Sequence, residues 1–260
     1  MPDKLVNKTR RWAGRRLAHW LNAPSQRYER RMFANADALS RILSPGDVLL
    51  VEGDTRVSGL IKYITQSTWS HAALFVGRLP GRPCIAREDW LIEADLEAGV
   101  RALPLNAYLR WNLRICRPVG LSREDCMQVC RSAVSQIGHR YDLKNVIDLG
   151  RYLLPWKLMP RRLHGKALWF GSGDPTRAIC SSMLAQAFQS VHYPILPYHT
   201  QLGDWIGDRL SMRHFTLFMP RDFDLSPYFE IVKPTIESGF DYHLLHWIPE
   251  KRDPSHGKVS

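Results

Sequence analysis

The chain has no run of about 18 apolar residues free of charge, and its mean hydropathy is −0.28. A membrane-spanning helix is therefore not expected. It lacks any Cys-x-x-Cys pair, and its five cysteines, Cys84, Cys116, Cys126, Cys130 and Cys180, are odd in number. That argues against a disulfide framework, and a zinc site would want ligands at spacings the sequence does not offer. Gly-x-Ser-x-Gly, Walker A and dinucleotide fingerprints are missing, so neither metal nor cofactor is expected. An uninterrupted apolar signal region is missing too, because Lys8, Arg10, Arg11, Arg15 and Arg16 break up the N-terminal stretch. The expectation is a cytoplasmic protein, peripheral at most on the inner face of a membrane. With 45% hydrophobic and 23% charged residues, disorder is not the main state.

What the chain does have is positive charge, and it is unevenly placed. The net charge is +11, and residues 1–31 hold nine Lys and Arg against Asp3 and Glu29. Residues 4–21 read as an amphipathic helix: Lys4, Lys8, Arg11 and Arg15 mark one face, and Val6, Ala13, Leu17 and Trp20 the other. A second segment, 152–173, interleaves Trp156, Trp169 and Phe170 with Lys157, Arg161, Arg162 and Lys166. Cations beside large apolar rings suit an anionic membrane surface, because stems and rings enter the apolar layer while charges reach headgroups. The bland alternative is a helix and a loop packed on their own domain with solvated basic faces. Nucleic acid is the other polyanion to consider, but no DNA- or RNA-reading motif supports it.

The division expected is a basic helical extension over 1–43, a catalytic domain over 44–232 with the 152–173 insertion, and a tail over 233–260. Ser44-Pro45-Gly46-Asp47 reads as the turn that opens the domain. Strands are predicted over 47–52, 71–76, 91–94, 99–102, 112–119 and 215–219. Helices are predicted over 57–66, 122–137, 142–154 and 180–191, with Ser122 as a cap and Gly138 as a stop. Strands first and helices later indicate an α+β fold.

Three residues carry the parts of a thiol acyl-transfer site. Cys180 opens a predicted helix after the Gly171–Pro175 loop, where backbone N–H groups favour a thiolate and can hold an oxyanion. His71 opens an apolar strand. Glu93 lies inside Leu91-Ile92-Glu93-Ala94, where a carboxylate is costly without a partner, and the imidazole of His71 would supply one. Asp95 has the same side-chain parity and is the backup orienter. Read one at a time, each has an ordinary structural explanation: a buried cysteine, a satisfied core histidine, a paired carboxylate.

Read in order, Gly46-Asp47-Val48-Leu49-Leu50, Trp69-Ser70-His71-Ala72-Ala73-Leu74-Phe75-Val76-Gly77, Ile92-Glu93-Ala94, Gly138-His139-Arg140-Tyr141-Asp142 and Ile179-Cys180-Ser181-Ser182 resemble the YiiX/YebB-like branch of permuted NlpC-type papain-like cysteine hydrolases. Lecithin:retinol acyltransferase-like proteins share this arrangement. The resemblance covers roughly residues 44–220 and implies a circularly permuted papain-like fold, with an antiparallel sheet carrying His and Glu packed on the helix that carries Cys. It implies Cys180 as nucleophile, His71 as base and Glu93 as orienter, with Tyr141 and Ser181 near the substrate carbonyl or its oxyanion. Ile179 and Ser182 depart from the aromatic and acidic residues often found there, which bears on substrate subclass. The expected activity is hydrolysis or acyl transfer on a peptide amide or a lipid acyl group through a Cys thioester. The rival is an inactive membrane-binding module on the same fold.

Overall fold

The computed structural model describes residues 36–78, 90–95, 98–139, 179–200 and 209–237, with the isolated positions 23, 24, 29, 239, 241 and 243. The predicted helices over 4–21 and 142–154, the insertion at 152–173 and Tyr141 lie outside the described residues.

Helix α1 (Ala36–Ile42) leads to β1 (Val48–Glu52), α2 (Arg56–Thr65) and β2 (His71–Gly77). Then come β3 (Trp90–Asp95), β4 (Gly99–Pro104), a 3-10 turn (Leu105–Tyr108) and β5 (Asn112–Pro118). The helices α3 (Arg123–Ser135) and α4 (Ile179–Gln189) follow. The remainder is the small β6 (Tyr198–Thr200) and β7 (Arg209–Ser211) ladder, α5 (Pro220–Leu225), β8 (Phe229–Val232) and α6 (Pro234–Glu237). The main sheet is antiparallel, in the order β4-β3-β2-β1-β5-β8.

Both faces of this sheet are covered, which explains why its central strands read as nearly unbroken apolar runs. On one face Val48, Leu50, Ala72, Leu74 and Ile92 pack with Val129 and Ala133 of α3 and with Met183, Leu184 and Phe188 of α4. On the other face Leu49, Val51, Ala73, Phe75 and Leu113 pack under Leu39, Leu43, Leu105 and Tyr108. Local chemistry fixes the ends. Ser122 caps α3 by accepting from the Asp125 N–H, a contact worth about 1 kcal/mol. Gly46, at φ +94°, turns the chain into β1, and a Cβ there would lie 2.9 Å from Cys126 Sγ; glycine alone suits both demands.

One predicted strand is not found. Phe215–Leu217 is a 3-10 turn, with His214 capping the Thr216 N–H. Pro220 sits at the start of α5, so the apolar run ends in a helix start rather than a ladder. Phe218 is buried against the α3 and α4 layer without entering any sheet. The late strand is β8, a four-residue edge pairing Ile115–Pro118 of β5 with Phe229–Val232.

Candidate active site

The residues Trp69-Ser70-His71 lead into β2, and each is anchored. The Trp69 indole N–H donates to Asp224 Oδ2 at 3.0 Å, while Arg114 donates to the other oxygen of that carboxylate at 2.6 Å. Ser70 N donates to Val51 O at 3.1 Å, and Gly53 N donates to Ser70 Oγ at 2.9 Å. These bonds tie the start of β2 to the end of β1 and so fix where His71 projects.

His71 Nε2 lies 2.5 Å from Glu93 Oε2. The β2–β3 ladder pairs Ala73 with Glu93, so the imidazole and the carboxylate are diagonal neighbours on one face of the sheet. Asp95, the backup, closes the β3–β4 turn by accepting from Ala98 N at 2.8 Å, and its other oxygen is 3.5 Å from Arg101 Nη2. Glu93, not Asp95, is thus the carboxylate on the His71 ring.

Cys180 arrives from the other side of the sheet. It stands in the first turn of α4, which packs on β2 and β3, and it is 5% exposed. The His71 side chain and the Ala72 backbone both act on its sulfur, drawing the thiol toward its charged form. Because Nε2 of the ring is committed to Glu93, Nδ1 is the nitrogen left for sulfur. Ser181 is fully buried with Oγ 3.9 Å from Cys180 Sγ. The structure therefore brings His71, Glu93, Cys180 and Ser181 together.

The electrostatics follow from that geometry. Burial pushes the Cys180 thiol up, but the facing His71 charge, its hydrogen bond, the Ala72 amide and the Ser181 hydroxyl outweigh it, leaving the thiol below its ordinary range. Burial pushes His71 down, and Cys180 and Glu93 overcome this to hold the imidazole well above its usual value. Glu93 is raised by burial yet lowered overall to about 2 by His71, Tyr108 and Arg101. Each of the three shifts is toward the charged form: thiolate, imidazolium and carboxylate.

Tyr108 and Arg101 are the residues that sequence reasoning passed over. The Tyr108 hydroxyl donates to Glu93 Oε2, and Arg101 reaches Glu93 Oε1 through Nε at 2.8 Å and Nη2 at 2.7 Å. The Arg101 signal was present: once Asp95 stands opposite Gly99 across a tight turn, Glu93 stands opposite Arg101. Tyr108 left no comparable trace, because its place depends on the 3-10 turn after β4 folding back over the sheet. Among the described residues, no group of three or more His, Cys, Asp or Glu side chains is placed to hold a metal ion, and no helix is long and apolar enough to cross a membrane.

Residues 42–152 match a family described as permuted papain-like amidase enzyme, YaeF/YiiX, C92 family. A similar solved structure is that of metalloprotein yiiX from Escherichia coli O157:H7, at 15% identity, covering 74% of this chain and 97% of that chain with a TM-score of 0.46. No curated protein matches. Over residues 42–152, then, the chain is similar to the YaeF/YiiX family of permuted papain-like amidases.

Proposed function

We propose that the protein is a cysteine amidase in which Cys180 is the nucleophile, His71 the general acid and base, and Glu93 the orienter of the imidazole. The observation that carries this reading is the line of contacts from Cys180 through His71 to Glu93, with the thiol lowered and the imidazole raised. The Cys180 thiolate attacks the carbonyl carbon of an amide, and the C=O electrons move onto oxygen. Backbone N–H groups at the start of α4 face the developing oxyanion. As the tetrahedral intermediate collapses, the imidazolium of His71 gives its proton to the leaving nitrogen. A thioester on Cys180 remains. Neutral His71 then takes a proton from water, hydroxide adds to the thioester carbon, and the carboxylic acid leaves with the thiolate restored. Glu93 keeps one ring nitrogen engaged throughout, so the other points at sulfur.

The same thioester serves an acyltransferase if an acceptor other than water resolves it. The specific feature favouring a lipid or membrane-proximal substrate is the pair of basic, Trp-bearing segments over 4–21 and 152–173. Both readings share one test. The protein is incubated with peptide amides and with acyl lipids on anionic vesicles, quenched in acid, and digested for mass spectrometry. An acyl adduct on Cys180, absent in Cys180→Ala, supports the reading, and the adduct mass reports the substrate class. Turnover without any Cys180 adduct, surviving in Cys180→Ala, would overturn it.

A further inference from the structure

Glu93 is 4% exposed and lies among the buried apolar residues Leu91, Ile92 and Ala94 of β3, a costly place for a carboxylate. Its lone pairs are nevertheless taken up. Oε2 meets His71 Nε2 and the Tyr108 hydroxyl, and Oε1 meets two nitrogens of Arg101. Only the His71 contact is required by the chemistry proposed above. The other donors come from β4 and the 3-10 turn after it, which are separate from the strand that supplies His71. Tyr108 is 1% exposed and packs edge-on to Trp111, with ring centroids 5.7 Å apart. Its hydroxyl is therefore fixed by core packing. Arg101 is in turn steadied by Asp95 at 3.5 Å.

We propose that Arg101 and Tyr108 are positioning residues for the Cys180–His71 pair, acting as a clamp that holds the Glu93 carboxylate ionised with Oε2 directed at His71 Nε2. This rests on reading the site as a cysteine amidase. Two nitrogens of Arg101 meet the same oxygen, Oε1, and hold it with charge-assisted contacts. The Tyr108 hydroxyl donates to the second oxygen, the one that faces His71 Nε2. The groups that set the charge of Glu93 are His71 on β2, Arg101 on β4 and Tyr108 on the turn; Asp95 on β3 stands beside Arg101, and Cys180 on α4 acts on the imidazole. Burial holds Tyr108 well above its ordinary pKa, so it stays a neutral donor. Without Arg101 the one cation left beside the carboxylate among the described residues is the imidazolium, and the preference for a neutral acid in an apolar site returns.

The test uses the full chain with Arg101→Gln, Arg101→Lys and Tyr108→Phe. The readouts are the pH titration of the Glu93 carboxyl carbon by NMR and kcat and KM on a substrate that acylates Cys180. The clamp predicts that wild-type Glu93 shows no titration above pH ~3, whereas Arg101→Gln brings its midpoint above pH ~4. It predicts that kcat falls about 10- to 100-fold in Arg101→Gln and Tyr108→Phe, with KM changed less than about twofold and partial recovery in Arg101→Lys. An unmoved Glu93 titration in Arg101→Gln, measured on folded protein, would overturn the clamp. So would a loss confined to KM. Failure of the amidase reading looks different: wild type forms no Cys180 adduct at all, whatever the Glu93 titration shows.

Discussion

Cys116 and Cys180 are both buried in the layer between the sheet and the α3–α4 pair, and their thiols are driven in opposite directions. Cys116, on β5, is raised above the thiol range, chiefly by burial and then by the Asp224 charge. Cys180 is buried too, yet it is lowered, because an imidazole held by Glu93 faces it. Burial alone makes a cysteine inert; burial with a matched cation makes it a nucleophile. Cys126 adds a third case. It is lowered through a hydrogen bond with Cys130 one turn along α3, with no histidine among the causes. A low thiol pKa is thus not by itself the mark of the site, and dependence on His71 is.

The comparison is broken most severely by removing the sulfur itself. Cys180→Ala is expected to abolish turnover, a loss of at least about 1,000-fold, while Cys116→Ala leaves kcat unchanged. Steady-state rates on any substrate that acylates the wild type check this. Next in size is Glu93→Gln, which keeps the shape and removes the charge. An amide does not hold the imidazolium, and the rate should fall by about 10²- to 10⁴-fold, mostly in kcat.

How much of this was legible beforehand differs between the three positions proposed as catalytic and their supports. Cys180, His71 and Glu93 stood out because each breaks a local pattern: a thiol at a helix start, an imidazole heading an apolar strand, and a carboxylate inside one. The core strands were legible for the opposite reason, as runs apolar on both faces. Choosing Glu93 over Asp95 needed the diagonal geometry of β2 and β3, which parity does not settle. Arg101 was recoverable from hairpin counting, but Tyr108 was not, since its contact spans a turn whose path is set by tertiary packing. The misplaced strand at 215–219 shows the limit of short apolar runs: Phe218 is buried without pairing to anything, and the actual edge strand, Phe229–Val232, is too short to show a period.

Acid stability gives a smaller, graded effect. Glu93 is depressed from its ordinary 4.5 to about 2, so the stability it contributes is fully present above 4.5 and is lost as pH falls toward 2. The sign is that of a carboxylate that binds a proton more readily unfolded than folded, and the size is of order a few kcal/mol. Denaturant midpoints measured between pH 5 and 2.5 should fall more steeply in the wild type than in Glu93→Gln. The smallest effect belongs to the inert thiol: Cys116→Ala should cost about 1–2 kcal/mol through a small cavity, read as a lowered denaturant midpoint at constant slope.

The central claim is that the Cys180 thiolate exists because His71 faces it. The direct measurement is the rate of alkylation of each cysteine by limiting iodoacetamide across pH, resolved by peptide mass spectrometry, in wild type and His71→Ala. The account predicts that Cys180 reacts with an apparent pKa clearly below the ~8.5 of free cysteine, and that His71→Ala slows Cys180 at least about tenfold at neutral pH while leaving Cys126 unchanged. A Cys180 no more reactive than Cys116, or a Cys180 rate indifferent to His71→Ala, would contradict it.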